Sequence, residues 1–115
     1  MAQTRADLIY QALRNLGALP LGQDPNDDDY EHVNNLVDVT IDDLRTRDVY
    51  FLPDVDSIPN EAYLHLAHCL AWNCAAGFGQ HKDTNLFQLA QLAETNLEKQ
   101  QAERAYRDVL PIDPF

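Results

Sequence analysis

Long apolar runs are what this sequence most plainly lacks. Even its most apolar segment, Pro59 to Gly79, is interrupted by Asn60, Glu61, His65, His68 and Asn73. No stretch of eighteen apolar residues exists, so a membrane span is not expected. Positive charge is also scarce. Eight Lys and Arg stand against 19 Asp and Glu, giving a net charge of −11 and a pI near 4.4. Ordinary nucleic-acid binding neutralises phosphates with Lys and Arg, and this balance argues against it. A protein that surrounds DNA without adhering to it stays compatible. The N-terminus, MAQTRADLIYQAL, has no continuous apolar h-region, so a soluble product made in the cytoplasm is the expectation. Cysteine appears twice, as Cys69 and Cys74. Five positions apart on one helix, the two thiols point in different directions and suit a disulfide poorly. Both read as small buried hydrophobes. There is no glycine-rich phosphate loop, no nucleophile elbow and no HExxH pattern. No catalytic apparatus can be assembled, so neither enzymatic activity nor a cofactor is expected.

What is present fits one helical domain. The length of 115 residues allows a modest core, and a hydrophobic content of 45% is that of a folded globular chain. Pro59 to Gly79 is long enough for about five helical turns and is apolar around nearly its whole circumference. Its polar positions Glu61, His65 and His68 follow an i, i+4, i+7 spacing and share a narrow stripe. This segment is read as the central core helix.

The other helices are laid out around it. Thr4 and Asp7 have the residue types of a capping box, and Leu8, Ile9, Ala12, Leu13 and Leu16 follow on one face. Gly17 stops that helix by taking a left-handed conformation, and Arg5 and Arg14 lie on its outer face. A second helix starts near Asn26, with Asp27, Asp28, Asp29 and Glu31 at the positive end of its dipole. Its buried stripe is Tyr30, Val33, Leu36, Val37, Ile41 and Leu44. From Asp24 to Leu44 there are acids and no Lys or Arg, so its outer surface is acidic. Val49-Tyr50-Phe51-Leu52 is a short β-favouring run closed by Pro53 and leads into a turn-rich loop. Gly77 and Gly79 end the core helix. Thr84 is the expected N-cap of a last helix reaching Arg107, with Leu86, Leu89, Ala90, Ala93, Leu97 and Ala105 inward. The polar second half of that helix is expected to project beyond the core. The resulting expectation is an all-α, four-helix bundle-like domain over residues 1–108, with an extended loop and an extended C-terminal tail at 109–115.

Several constellations resemble ligand sites. Asp24, Asn26 and Asp28 match the opening of a calcium loop, but its sixth position is Asp29 instead of glycine and its twelfth is Asn35 instead of Glu. A solvated helix start is the better reading. His65, His68 and Cys69 have the spacing of metal ligands without a fourth partner, so no metal is expected. The two histidines read as a polar stripe beside a buried cysteine, with a pH-sensitive contact between subunits as the functional variant, and Trp72 reads as core in preference to a contact anchor. Paired carboxylates carry little information in so acidic a chain. The tail Val109-Leu110-Pro111-Ile112-Asp113-Pro114-Phe115 is apolar, and its prolines cannot continue a helix. It either covers the domain's own core or docks in a groove of a partner.

Three stretches taken in order, TRADLIYQALRNLGAL, DDLRTRDVYFLPD and IPNEAYLHLAHCLAWNCAAGFG, resemble the head–tail adaptor proteins of tailed bacteriophages. The nearest type is the tail accessory, or packaged-DNA stabilisation, family of short-tailed phages. Its opening helix pattern is matched by Asp7, Leu8, Ile9, Ala12, Leu13, Arg14, Leu16 and Gly17. The resemblance covers roughly the first eighty residues and not the C-terminal region. It implies a structural virion protein at the head–tail junction, forming a homo-oligomeric ring of twelve beneath the portal protein. Such a ring extends the DNA channel, helps retain packaged double-stranded DNA and carries the next tail component, a hub, nozzle or fibre protein. Val109, Leu110, Pro111, Ile112, Pro114 and Phe115 would then dock on the portal. Val49, Tyr50, Phe51, Leu52, His65 and His68 would make subunit or tail contacts. The competing expectation is an acidic helical regulator that mimics DNA and occupies a nucleic-acid-binding protein, motivated by the acids between Asp24 and Asp43.

Overall fold

The computed structural model describes residues 2–17, 22–80 and 83–109, with side chains as far as Arg104. The fold is all-α. Four helices, α1 (Arg5–Asn15), α2 (Asp27–Thr46), α3 (Asn60–Cys74) and α4 (Thr84–Val109), are joined by loops and one 3-10 turn at Ala75–Phe78. Helix α3 is the hub. It packs against α1, α2 and α4, while α1 and α2 also pair with each other.

Local signals account for the first two helices. Thr4 Oγ1 accepts from the Asp7 amide at 3.2 Å, and the Thr4 amide donates to Asp7 Oδ2 at 3.0 Å. This capping box satisfies two otherwise orphaned donors, a contribution of about 1 kcal/mol. Leu8, Ile9, Ala12, Leu13 and Leu16 are buried, and Gly17 has φ +75° at the helix end. Arg5 does not simply face solvent. Its guanidinium crosses to α2, bonding Asp38 Oδ1 at 2.9 Å and the Asn34 side chain at 2.8 Å. Asn26 caps α2 by accepting from the Asp28 amide at 2.8 Å. Val33, Val37 and Leu44 are buried, while Tyr30, Leu36 and Ile41 lie at the edge of the core. The one buried polar side chain of this stripe, Thr40, accepts from Asn73 of α3 at 2.8 Å.

The core helix is shorter than its apolar run. Regular α-helix ends at Cys74, and Ala75–Phe78 tightens into a 3-10 turn closed by Gly79 at φ +73°. Gly77 lies against the imidazole of His32 from α2. The turn therefore passes a neighbouring side chain where only a residue without a Cβ fits. Gln80 then donates to the Leu16 carbonyl at 2.6 Å, tying this end to the end of α1. At the other end, Gln3 and Ile58 exchange backbone hydrogen bonds of 2.8 and 2.9 Å, which pins the chain start beside the start of α3.

Helix α4 differs from expectation at both ends. Asp83, not Thr84, is the cap: its Oδ1 accepts from the amides of Asn85 at 2.9 Å and Leu86 at 3.3 Å. The helix continues to Val109, the residue expected to open the tail. Among the described side chains of α4, those buried are Leu86, Ala90, Ala93 and Leu97. Their i, i+4, i+7, i+11 spacing is a narrow seam facing one neighbour, α3. Leu89, expected inside, lies off the seam and is exposed.

Candidate functional site

The segment Val49–Leu52 is positioned by Asp48, a non-glycine residue at φ +58°. Aspartate tolerates this left-handed conformation better than most side chains. The reversal sends the amides of Val49 and Tyr50 back to the Leu44 carbonyl, at 2.8 and 3.3 Å. Val49, Tyr50 and Leu52 are consequently buried in the subunit's own core, leaving Phe51 as the exposed apolar side chain of the four. The segment is clamped from α4. Arg104 donates to the Phe51 carbonyl at 3.0 Å and stacks over the Tyr50 ring at 4.8 Å. Gln101 Oε1 accepts from the Phe51 amide at 3.1 Å, and Gln100 donates to the Glu61 carbonyl at 2.8 Å. The polar second half of α4, expected to project freely, thus latches onto the body as far as Arg104. Burial raises the Tyr50 phenol above its ordinary pKa, partly offset by the Arg104 charge.

His65 and His68 are half-buried on α3 and face the same groove, formed with Leu64 of α3 and Leu89, Leu92, Ala93 and Asn96 of α4. Leu64 and Leu92 are 54% and 59% exposed, high values for leucine on packed helices. Trp72 is half-buried beside this region, 5.2 Å from the Phe87 ring, and Phe87 is itself exposed. Burial, and secondarily the neighbouring His65, lowers the His68 pKa below its ordinary value. His68 Nδ1 also meets Asn15 Nδ2 at 3.5 Å, linking the groove to the end of α1. Cys69 is buried, its Sγ directed at the Ala90 carbonyl of α4 at 4.0 Å. Burial pushes both Cys69 and Cys74 up to about 12. Among the described residues, no group of three or more His, Cys, Asp or Glu is placed to hold a metal ion. Asn26, a candidate calcium ligand by spacing, uses its side chain as the α2 cap.

On the acidic face of α2, three carboxylates are paired from within the chain. Asp38 meets Arg5 at 2.9 Å, Asp42 meets Arg45 at 3.4 Å and Asp43 meets Arg47 at 2.8 Å. Arg47 also reaches Glu94 of α4 at 2.6 Å, and hydrogen bonding to Asp43 and Glu94 raises its pKa. No described helix is long and apolar enough to cross a membrane. Of the expected docking tail, Leu110, Pro111, Ile112, Pro114 and Phe115 lie outside the described residues, and so does Asp113.

Sequence reasoning singled out the two histidines but not the rest of the groove or the α4 latch. Leu64 stands next to His65 within the polar stripe, which was the available signal for its exposure. Leu89 and Leu92 fall off the Leu86–Leu97 seam. That is legible only once α4 is known to have one neighbour. No protein-family model, curated protein or solved structure matches this chain.

Proposed function

We propose that this chain is a structural subunit of a bacteriophage head–tail connector. In this reading, copies of it form an adaptor ring, twelve in the virion, attached beneath the portal protein. The ring surrounds packaged double-stranded DNA without gripping it and carries the next tail component, a hub, nozzle or fibre protein. The observation that carries the reading is the uncovered apolar groove between α3 and α4, on a subunit whose α2 surface is acidic. A ring subunit needs apolar surface for its neighbours and gains from negative charge near a channel through which DNA slides. The motif behind the resemblance also has a physical role here: Asp7 caps α1, Leu8 to Leu16 fill the core, and Gly17 ends the helix.

The DNA-mimic alternative is less well supported. A mimic must present free carboxylates, and three of the eight acids between Asp24 and Asp43, namely Asp38, Asp42 and Asp43, are engaged at the surface by arginines of the same chain. The test is negative-stain imaging of the purified protein mixed with a short-tailed-phage portal protein. An added ring layer below the portal is the expected result. An unchanged portal with free subunit would overturn the assignment.

A further inference from the structure

The α3–α4 groove encloses about 180 Å³. That is below the roughly 300–1,000 Å³ of small-molecule sites and is suited instead to a few side chains of a bound segment. Leu64, Leu89 and Leu92 supply its apolar surface, and His65, His68 and Asn96 its polar atoms. No carboxylate lines it, in a chain with 19 of them. An occupant bearing apolar side chains and an acid would fit this chemistry.

Residues 110–115, Leu-Pro-Ile-Asp-Pro-Phe, have that chemistry. Leu110, Ile112 and Phe115 are apolar and Asp113 can meet the histidines and Asn96. Pro111 and Pro114 fix φ and so reduce the entropy lost on docking. The same copy's segment cannot fill the groove. From Val109 back along α4 to Asn96 is 13 residues, about 20 Å, and to Leu89 it is 20 residues, about 30 Å. Six residues fully extended span only about 20 Å, so the segment can at most touch the near end.

We propose that residues 110–115 of one copy dock in the α3–α4 groove of a second copy. Donor segment and acceptor groove are different patches, so the contact is head-to-tail and propagates into a ring or a chain. The proposal uses no property of the portal and stands or falls separately from the adaptor reading.

The test titrates the isotope-labelled full chain, kept dilute, with a synthetic peptide of residues 108–115. Saturable shifts are expected at the Leu64, Leu89 and Leu92 methyls and at both histidine rings. L92E, at an exposed position, should weaken the peptide by about tenfold or more while leaving the remaining spectrum folded. A second arm mixes L92E, which lacks the groove, with I112D, which lacks the segment. Neither should self-associate alone, and the mixture should yield a dimer that grows no further. Three outcomes overturn the proposal: no shifts at millimolar peptide, shifts confined to another surface, or a groove already perturbed by I112D in a strictly monomeric sample. The last would mean that the segment covers its own subunit.

Discussion

Gly77→Ala has a cost that the geometry largely determines. A Cβ on Gly77 would lie 2.7 Å from His32 Cε1 and 3.0 Å from Cδ2, and closer still to Nε2. The backbone there is not in the positive-φ region, so the penalty is purely steric. His32 would have to turn, yet its ring packs edge-on against Phe78 with centroids 5.6 Å apart. Overpacking of this kind costs about 1–3 kcal/mol. Replacing glycine also stiffens the unfolded chain, which returns about 0.4–1 kcal/mol. The net expectation is a loss of about 0.5–2 kcal/mol, or roughly 2–8 °C in Tm at about 4 °C per kcal/mol for a domain of this size. His32→Ala removes the obstacle. In that background Gly77→Ala should be neutral or stabilising, giving a coupling of about 1–3 kcal/mol in a double-mutant cycle measured by urea denaturation. Equal cost in both backgrounds would refute the reasoning, as would a higher Tm for G77A alone.

Arg104→Ala should destabilise by about 1–2 kcal/mol, through loss of a charged hydrogen bond and a cation–π contact, and should speed hydrogen exchange at the Phe51 amide. Unchanged exchange there would show that α4 does not clamp the segment. With both thiols raised to about 12 by burial, Cys69 and Cys74 should resist alkylation in the native protein at about pH 8 and react once it is unfolded. Rapid native labelling would contradict their placement. His68 titrates lower folded than its ordinary value of 6.5, because burial disfavours the charged ring. Its contribution is therefore full above about pH 6.5 and is lost as pH falls through the lower folded value, where the unfolded chain binds the extra proton. Melting curves of the wild type and H68N should diverge in relative stability across that window, with the wild type losing more on acidification. The opposite order would remove the burial argument.

How much of this fold the sequence revealed depended on how far apart the responsible residues lie. Helix α1 was legible almost to the residue, because its cap, core face and stop all sit between Thr4 and Gly17. The start of α2 was equally local, fixed by Asn26 and the acids behind it. The early end of α3 was not legible. The 3-10 turn that follows it passes His32, which lies 45 positions before Gly77 and meets it only in the folded chain. The run Val49–Leu52 could be recognised as extended. Its burial, however, rests on the reversal at Asp48 and on Arg104, more than fifty residues downstream. The cap of α4 was misplaced by one residue because Asp83 and Thr84 are both good capping types, and only backbone geometry chooses between them.

The candidate site follows from the same logic. Apolar residues along α4 exceed what a single neighbour can cover. The seam against α3 is filled by Leu86, Ala90, Ala93 and Leu97, two of them small enough to bring the helices close. Close approach narrows the buried stripe, and Phe87, Leu89 and Leu92 are left outside it. The exposed leucines are thus a consequence of the alanines that let α4 sit tightly on α3. Leu89 and Leu92 beside a closed seam, facing Leu64 across a groove lined with histidine and asparagine, amount to a second amphipathic face without a partner among the described residues. Residues 110–115 span only far enough to touch the near end of that face from Val109, and they are chemically suited to it. Those two facts together point outward, to a neighbouring copy, as what completes α4.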